Sequence, residues 1–240
     1  MIEDAQEILE YLPGYYRSEK EQEYLLFLWD AFKCNYENGK YQFAFIAYHM
    51  LFMLFIYFGV WKIKAVRHED FSKCLIGCID RHEADLAKVS DPFGFWIIGE
   101  SQFIRFLRLI GLQDRIGKYK EIIKLRNDSA HANGNVYLNS QGQIDDKINE
   151  ILSYVDEIQQ RMPPVLLSIF EKSIKDEEAD FQHFEDELLR KHYFSQQDMK
   201  ACLAFNFDAF ISSVKGKKRL ARKIADEFKE AYAEEAGVAG

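Results

Sequence analysis

The chain has 240 residues, enough to bury a sizeable core as one large domain or as a domain with an appendage. Its formal charge of -8 argues against indiscriminate coating of nucleic acid and still leaves room for a local basic cleft. Four cysteines make no compact secreted framework, and the opening Met-Ile-Glu-Asp-Ala-Gln has no signal-peptide form, so a reducing cytoplasm is expected.

Residues 1–12 read as a short helix ended by Pro13-Gly14. A second helix is predicted from about Glu19 to Tyr36, with Tyr24, Leu25, Leu28, Trp29 and Phe32 on its buried side, broken by Asn38-Gly39. Tyr41 to Trp61 then runs without a charge between Lys40 and Lys62, long and apolar enough to cross a membrane. Gln42, His49 and the spread of Phe and Tyr along the run favour a different reading, the central helix of a bundle, apolar on all sides and with no membrane partner. His49 is expected to be a hydrogen-bonded core residue.

Residues 67–88 carry the next predicted helix, in which Cys74, Cys78 and His82 stand at i, i+4 and i+8. That spacing drifts about 80° around a helix and lacks a clear fourth ligand, so no structural metal is expected. Asp91-Pro92-Phe93-Gly94 reads as a turn, and Phe95 to Gly111 as an aromatic-rich helical segment. Beyond Leu112-Gln113 a helix is predicted from Asp114 to Asn133, with Tyr119, Ile122, Ile123 and Ala130 on its apolar face and Asn133-Gly134 as its stop.

One residue of that helix is out of place. At about 100° per residue Lys120, Lys124, Asn127 and His131 fall in one narrow stripe, while Arg126 lies among the apolar residues. A guanidinium cannot shed its charge, so its burial requires a carboxylate, a phosphate or a polar seam between subunits. Arg126 and His131 are separated by about 140° around the axis, so one ideal helix does not aim both at one small ligand. Two copies crossing near a two-fold axis would, each lending residues to a shared cleft.

Arg126-Asn127-Asp128-Ser129-Ala130-His131 resembles the arginine, four residues, histidine signature of the HEPN domains, in the form with asparagine directly after the arginine. The resemblance covers Tyr24 to Pro163. It implies an all-α helical bundle that forms a homodimer through its motif helices. In active members such a domain is a metal-independent endoribonuclease, often a toxin or an antiviral effector, and this implies an RNA substrate, no cofactor, and an antitoxin or other regulatory protein as partner. Many relatives keep the fold without cleaving anything, so a non-catalytic scaffold or partner-binding module is the alternative.

The chemistry is compatible with that implication. RNA carries its own nucleophile, the 2′-hydroxyl, so a protein need only move protons and stabilise a phosphorane. A histidine exchanges protons near neutrality, which suits His131 to proton transfer. Arg126 suits the non-bridging phosphate oxygens, Asn127 could orient the histidine or bind a phosphate oxygen, and Lys120 and Lys124 could draw in the backbone. The expected products carry 2′,3′-cyclic phosphate and 5′-hydroxyl ends. As a purely structural device, His131 and Asn133 would finish a helix, where a histidine is favourable, but Arg126 would then be unexplained.

Gly134 to Gln143 is polar, and a small two-stranded excursion is predicted there. Helical periodicity resumes from Ile144 to Met162, is interrupted by Pro163-Pro164, and continues through Val165 to Ile174. Acidic residues crowd 176–187, which places a boundary there. The expected organisation is an N-terminal helical extension over 1–23, a HEPN-like bundle over 24–175 and a small C-terminal helical subdomain over 176–240. In that last part Ser195 is predicted to cap a helix to Ser212, and Lys217 to Glu235 forms another whose basic start opposes the helix dipole.

Overall fold

The computed structural model describes residues 2–76, 85, 86, 88–174, 180–214 and 216–232. Cys78 and His82 lie outside the described residues. The architecture is an all-α helical bundle, with no strand among the described residues.

Helix α1 (Ile2–Gln6) passes into a 3-10 turn over Glu7–Tyr11. Helix α2 (Glu19–Glu37) starts where the Ser18 side chain accepts from the Glu21 amide. It buries Leu25, Leu28, Phe32 and Tyr36, recurring every three or four residues. Tyr24 faces outward instead, at 38% exposure. Helix α3 (Tyr41–Val66) is the axis of the molecule. A helix apolar on every side needs protein on every side. Here α2, three later helices and a 3-10 turn over Pro92–Ile97 pack on it, and 83% of its most apolar window is buried.

Helix α4 (His68–Ile76) follows. The predicted helix after Phe95 is instead three short pieces: the 3-10 turn just named, α5 (Glu100–Phe103) and a 3-10 stretch over Ile104–Ile110. Ile98 is extended (φ -99°, ψ 140°), which breaks the first from the second, and Gly111 ends the third at φ 82°.

Helix α6 (Ile116–Ala130) carries the Arg126 motif. It stops three residues short of the predicted Asn133, because His131 is already extended (φ -91°, ψ 145°). Asn133 finishes the helix from outside it, its side-chain amide donating to the Asp128 carbonyl at 2.9 Å. Ala130 is exposed and does not belong to the buried face. No strand forms in the segment that follows; Ser140 and Gln143 make a capping box that opens α7 (Gln141–Gln159). Pro163 begins α8 (Pro163–Ile174), a position where its missing amide costs nothing.

The C-terminal helices are α9 (Phe181–Asp186), continued by a single π-turn over Glu187–Lys191, then α10 (Gln196–Leu203), α11 (Phe207–Ser213) and α12 (Lys218–Tyr232). The predicted helix from 196 to 212 is therefore two, with Asn206 capping the second by accepting from the Ala209 amide at 3.0 Å. Phe170 of α8 gathers Phe184, Phe205, Phe207, Phe210 and Phe228 around it. At the other side of this packing Lys62 of α3 forms a buried ion pair with Asp198 of α10. Asp198 also accepts from Gln159 of α7 at 2.9 Å and from the Ser195 amide at 2.9 Å, so no oxygen of the buried carboxylate is left bare.

Candidate functional site

Helix α6 is fixed at its start by Glu157 of α7, which pairs with Arg115 and accepts from the Tyr119 hydroxyl at 2.8 Å. Ile116, Tyr119, Ile122 and Ile123 bury its inner face. At its end the Gln42 side chain of α3 donates to the Ser129 carbonyl at 2.9 Å and accepts from the Tyr137 amide at 2.8 Å. Gln42 thus clamps both the last turn of the motif helix and the segment that leaves it.

Between those anchors Arg126 meets a carboxylate from its own chain. Its guanidinium pairs with Oε1 of Glu100, the first residue of α5, while Glu100 Oε2 lies 3.0 Å from Nε2 of His49 on α3. One carboxylate therefore joins three helices. His49 is fully buried, and burial holds its pKa below the ordinary imidazole value, with the nearby Arg126 charge acting in the same sense and Glu100 against it. The imidazole is accordingly neutral at pH 7, and Nε2–H donates to Glu100. Burial by itself would raise the Glu100 carboxyl, but the hydrogen bonds from His49 and the Arg126 guanidinium outweigh it and hold the carboxyl below its usual range. Nδ1 of His49 and Nε of Arg126 are buried without a hydrogen-bond partner.

Arg126, Asn127 and Glu100 face a cleft of about 710 Å³, whose rim carries Trp96, 74% exposed, and Tyr24. His131 does not line this cleft; it stands exposed at the end of α6. Lys120 and Lys124 are exposed on the outer face, and Lys124 pairs with Asp128 one turn on at 2.8 Å. A single chain therefore brings Arg126 and Asn127 together and leaves His131 and the lysines outside their cleft. Among the described residues no group of three or more His, Cys, Asp or Glu is placed to hold a metal ion.

The sequence pattern pointed to Arg126 and to the kind of partner it needs, and missed which residue that is. Glu100 was visible only as a lone acid in a stretch of Phe, Ile and Trp. His49 and Gln42 were the two conspicuous polar residues of an otherwise apolar run, and each now has a partner that accounts for it. Comparison with protein-family models, with curated proteins and with solved structures returned no match.

Proposed function

We propose that the chain is a metal-independent endoribonuclease that acts as a cytoplasmic homodimer, in a toxin or antiviral defence role under the control of a regulatory protein. The observation that carries this reading is the division of the motif: Arg126 and Asn127 face an open cleft while His131 stands exposed at the end of the same helix. Two motif helices meeting about a two-fold axis would let one chain's His131 serve the other chain's Arg126 cleft. In that arrangement His131 moves protons between the 2′-hydroxyl and the leaving 5′-oxygen, and Arg126 stabilises charge on the phosphorane. The Arg126 side chain lines the cleft and stays 24% exposed, which leaves it within reach of a phosphate there. Asn127 assists from the cleft wall, and Lys120 and Lys124 draw the RNA backbone along the outer face of α6.

A second reading is favoured by the Arg126–Glu100–His49 cluster. It explains the arginine as a clamp between α3, α5 and α6, and so supports a non-catalytic dimeric scaffold that keeps the motif for structure. The two separate on one experiment. Purified protein is incubated with mixed cellular RNA in EDTA, new ends are mapped, and the dimer is checked by light scattering. Cleavage that leaves 2′,3′-cyclic phosphate and falls by about 10²–10⁴-fold in a dimeric His131→Ala protein supports the enzyme. Equal cleavage by wild type and His131→Ala rejects the His131 mechanism, and no cleavage by an intact dimer favours the scaffold.

A further inference from the structure

The end of α3 remote from Gln42 carries a second concentration of chemistry, roughly 33 Å away at 1.5 Å rise per residue. There Trp61 and Lys64 meet three other parts of the chain: Arg17 before α2, Lys172 near the end of α8, and Lys191-His192 where the π-turn ends. Together they line a pocket of about 290 Å³, and no carboxylate lines it among the described residues. In a chain of formal charge -8 such a gathering needs an explanation.

The cations are oriented without being neutralised. Arg17 donates through Nε to the Arg190 carbonyl at 3.1 Å, through Nη1 to Ser90 at 2.9 Å and through Nη2 to Lys191 at 2.7 Å. Lys64 donates to the Val89 carbonyl at 3.0 Å. Arg17 and Lys64 both stand over the Trp61 ring, at 5.4 Å and 5.2 Å from its centre. Carbonyls and rings hold a cation in place and leave its charge to act on its surroundings. Lys172 has no ion pair among the described residues, so only Lys191, held by Glu187 at 2.5 Å, meets a carboxylate.

His192 supplies a second, independent observation at the same place. It lines the pocket, is 8% exposed, and its Nδ1 has no hydrogen-bond partner. Burial pulls its pKa down to about 4; Glu187, with Oε1 3.9 Å from Nε2, acts against this, and Lys191, Lys172 and Arg17 act with it. The backbone that delivers it is unusual: a π-turn runs directly into it, and Tyr193 beside it holds φ 56°, the only positive φ at a non-glycine among the described residues. Such conformations persist where surrounding structure enforces them, and they recur at functional sites.

We propose that this pocket binds the phosphate of a small phosphomonoester, as a site separate from the Arg126 cleft. Each nitrogen of the Arg17 guanidinium gives one N–H to a carbonyl, three of its five donors, so its fork is turned mainly to the backbone and the pocket offers charge from several directions. Three-directional point charge suits a tetrahedral dianion. A volume of this size matches a phosphate with a sugar-sized group attached. Trp61 is already flanked by two cations, which leaves it to position them and not to stack a base.

Ribose 5-phosphate and inorganic phosphate are the probes, with ribose and a short single-stranded oligonucleotide as controls. Histidine NMR titration reads the pocket, with His192 assigned from a His192→Gln protein. Both phosphates should raise the His192 pKa by at least about one unit, since an adjacent dianion favours the imidazolium, and ribose should leave it unmoved. Lys172→Glu, at an exposed position with no ion pair among the described residues, and Lys64→Gln should each weaken binding at least about tenfold while circular dichroism stays unchanged. Three results would overturn the proposal: no His192 response at millimolar phosphate, unchanged affinity in a folded Lys172→Glu protein, or an oligonucleotide that displaces ribose 5-phosphate. None of these depends on RNA cleavage, so failure here is distinguishable from failure of the endoribonuclease reading.

Discussion

Glu100 receives the guanidinium of Arg126 within one chain, so the arginine's charge is met without a second subunit. The case for a dimer therefore rests on His131, which one chain leaves outside the Arg126 cleft, and no longer on an unpartnered arginine. It also means that Arg126 has a structural duty whatever its chemistry.

That duty is measurable by a double-mutant cycle. Arg126→Ala leaves Glu100 and His49 without their cation, and Glu100→Gln leaves Arg126 without its anion. Both groups are less than a third exposed, so each change should cost about 1.5–3 kcal/mol in urea unfolding. The double change should cost clearly less than the sum, because the pair is lost once. Strict additivity would dismiss the clamp. If Arg126 also serves a phosphate, folded Glu100→Gln should keep RNA cleavage that Arg126→Ala lacks.

The sequence made the helices legible wherever an apolar pattern was long: α2, α7 and α8 lie where their periodicity put them, and α3 where its unbroken apolar run did. It failed where local backbone chemistry decides. Extended Ile98 splits the segment after Phe95, and His131 leaves the helix before its left-handed stop signal at Gly134, whose φ is 81°. At the site, the helical wheel singled out Arg126 because that anomaly is written within one helix. Glu100, His49 and Gln42 sit 26 or more positions away along the chain, and no periodicity links them to Arg126. The pocket at Arg17, Lys64 and His192 was hidden for the same reason, being assembled from four separate segments.

Leu51 tests the reading of α3 as the buried axis. It is 0% exposed near the middle of that helix. Leu51→Ala should lower stability by about 2–5 kcal/mol, through lost burial and the cavity left behind. Leu51→Asp should prevent folding, since it buries a carboxylate with no partner. A fully folded Leu51→Asp protein, or wild type recovered only with membranes after a high-salt wash, would reject the assignment.

The Lys62–Asp198 pair tests how the C-terminal helices are held to α3. Both side chains are nearly inaccessible, at 4% and 0%. Lys62→Met or Asp198→Asn alone strands the opposite charge and should cost about 3–5 kcal/mol. Combining the two removes both charges; the single oxygen of asparagine still accepts from one of the two donors, Gln159 on Oδ1 or the Ser195 amide on Oδ2, so part of that loss should return. Chemical denaturation of the four proteins checks this. A double variant as unstable as the sum of the singles would show that packing, not stranded charge, sets the cost.

Acid should weaken the fold earlier than carboxylates alone would dictate. His49 and His192 both have folded pKa values depressed by burial, His192 to about 4. Their stabilising contribution is complete above the unfolded value of about 6.5 and is lost as pH falls from there toward the folded value, because the unfolded chain takes up protons that the folded one refuses. For His192 the full window corresponds to about 3 kcal/mol, at roughly 1.4 kcal/mol per unit. Glu100, also depressed, adds a further loss of the same sign below the ordinary glutamate range of about 4.3. Urea midpoints followed from pH 7 to 4 in a phosphate-free buffer should therefore fall steadily. His192→Gln should flatten that slope while lowering neutral-pH stability only modestly, since Nδ1 makes no hydrogen bond to lose. A wild type whose stability rises on acidification, or a His192→Gln slope identical to it, would contradict the assignment of a buried neutral imidazole.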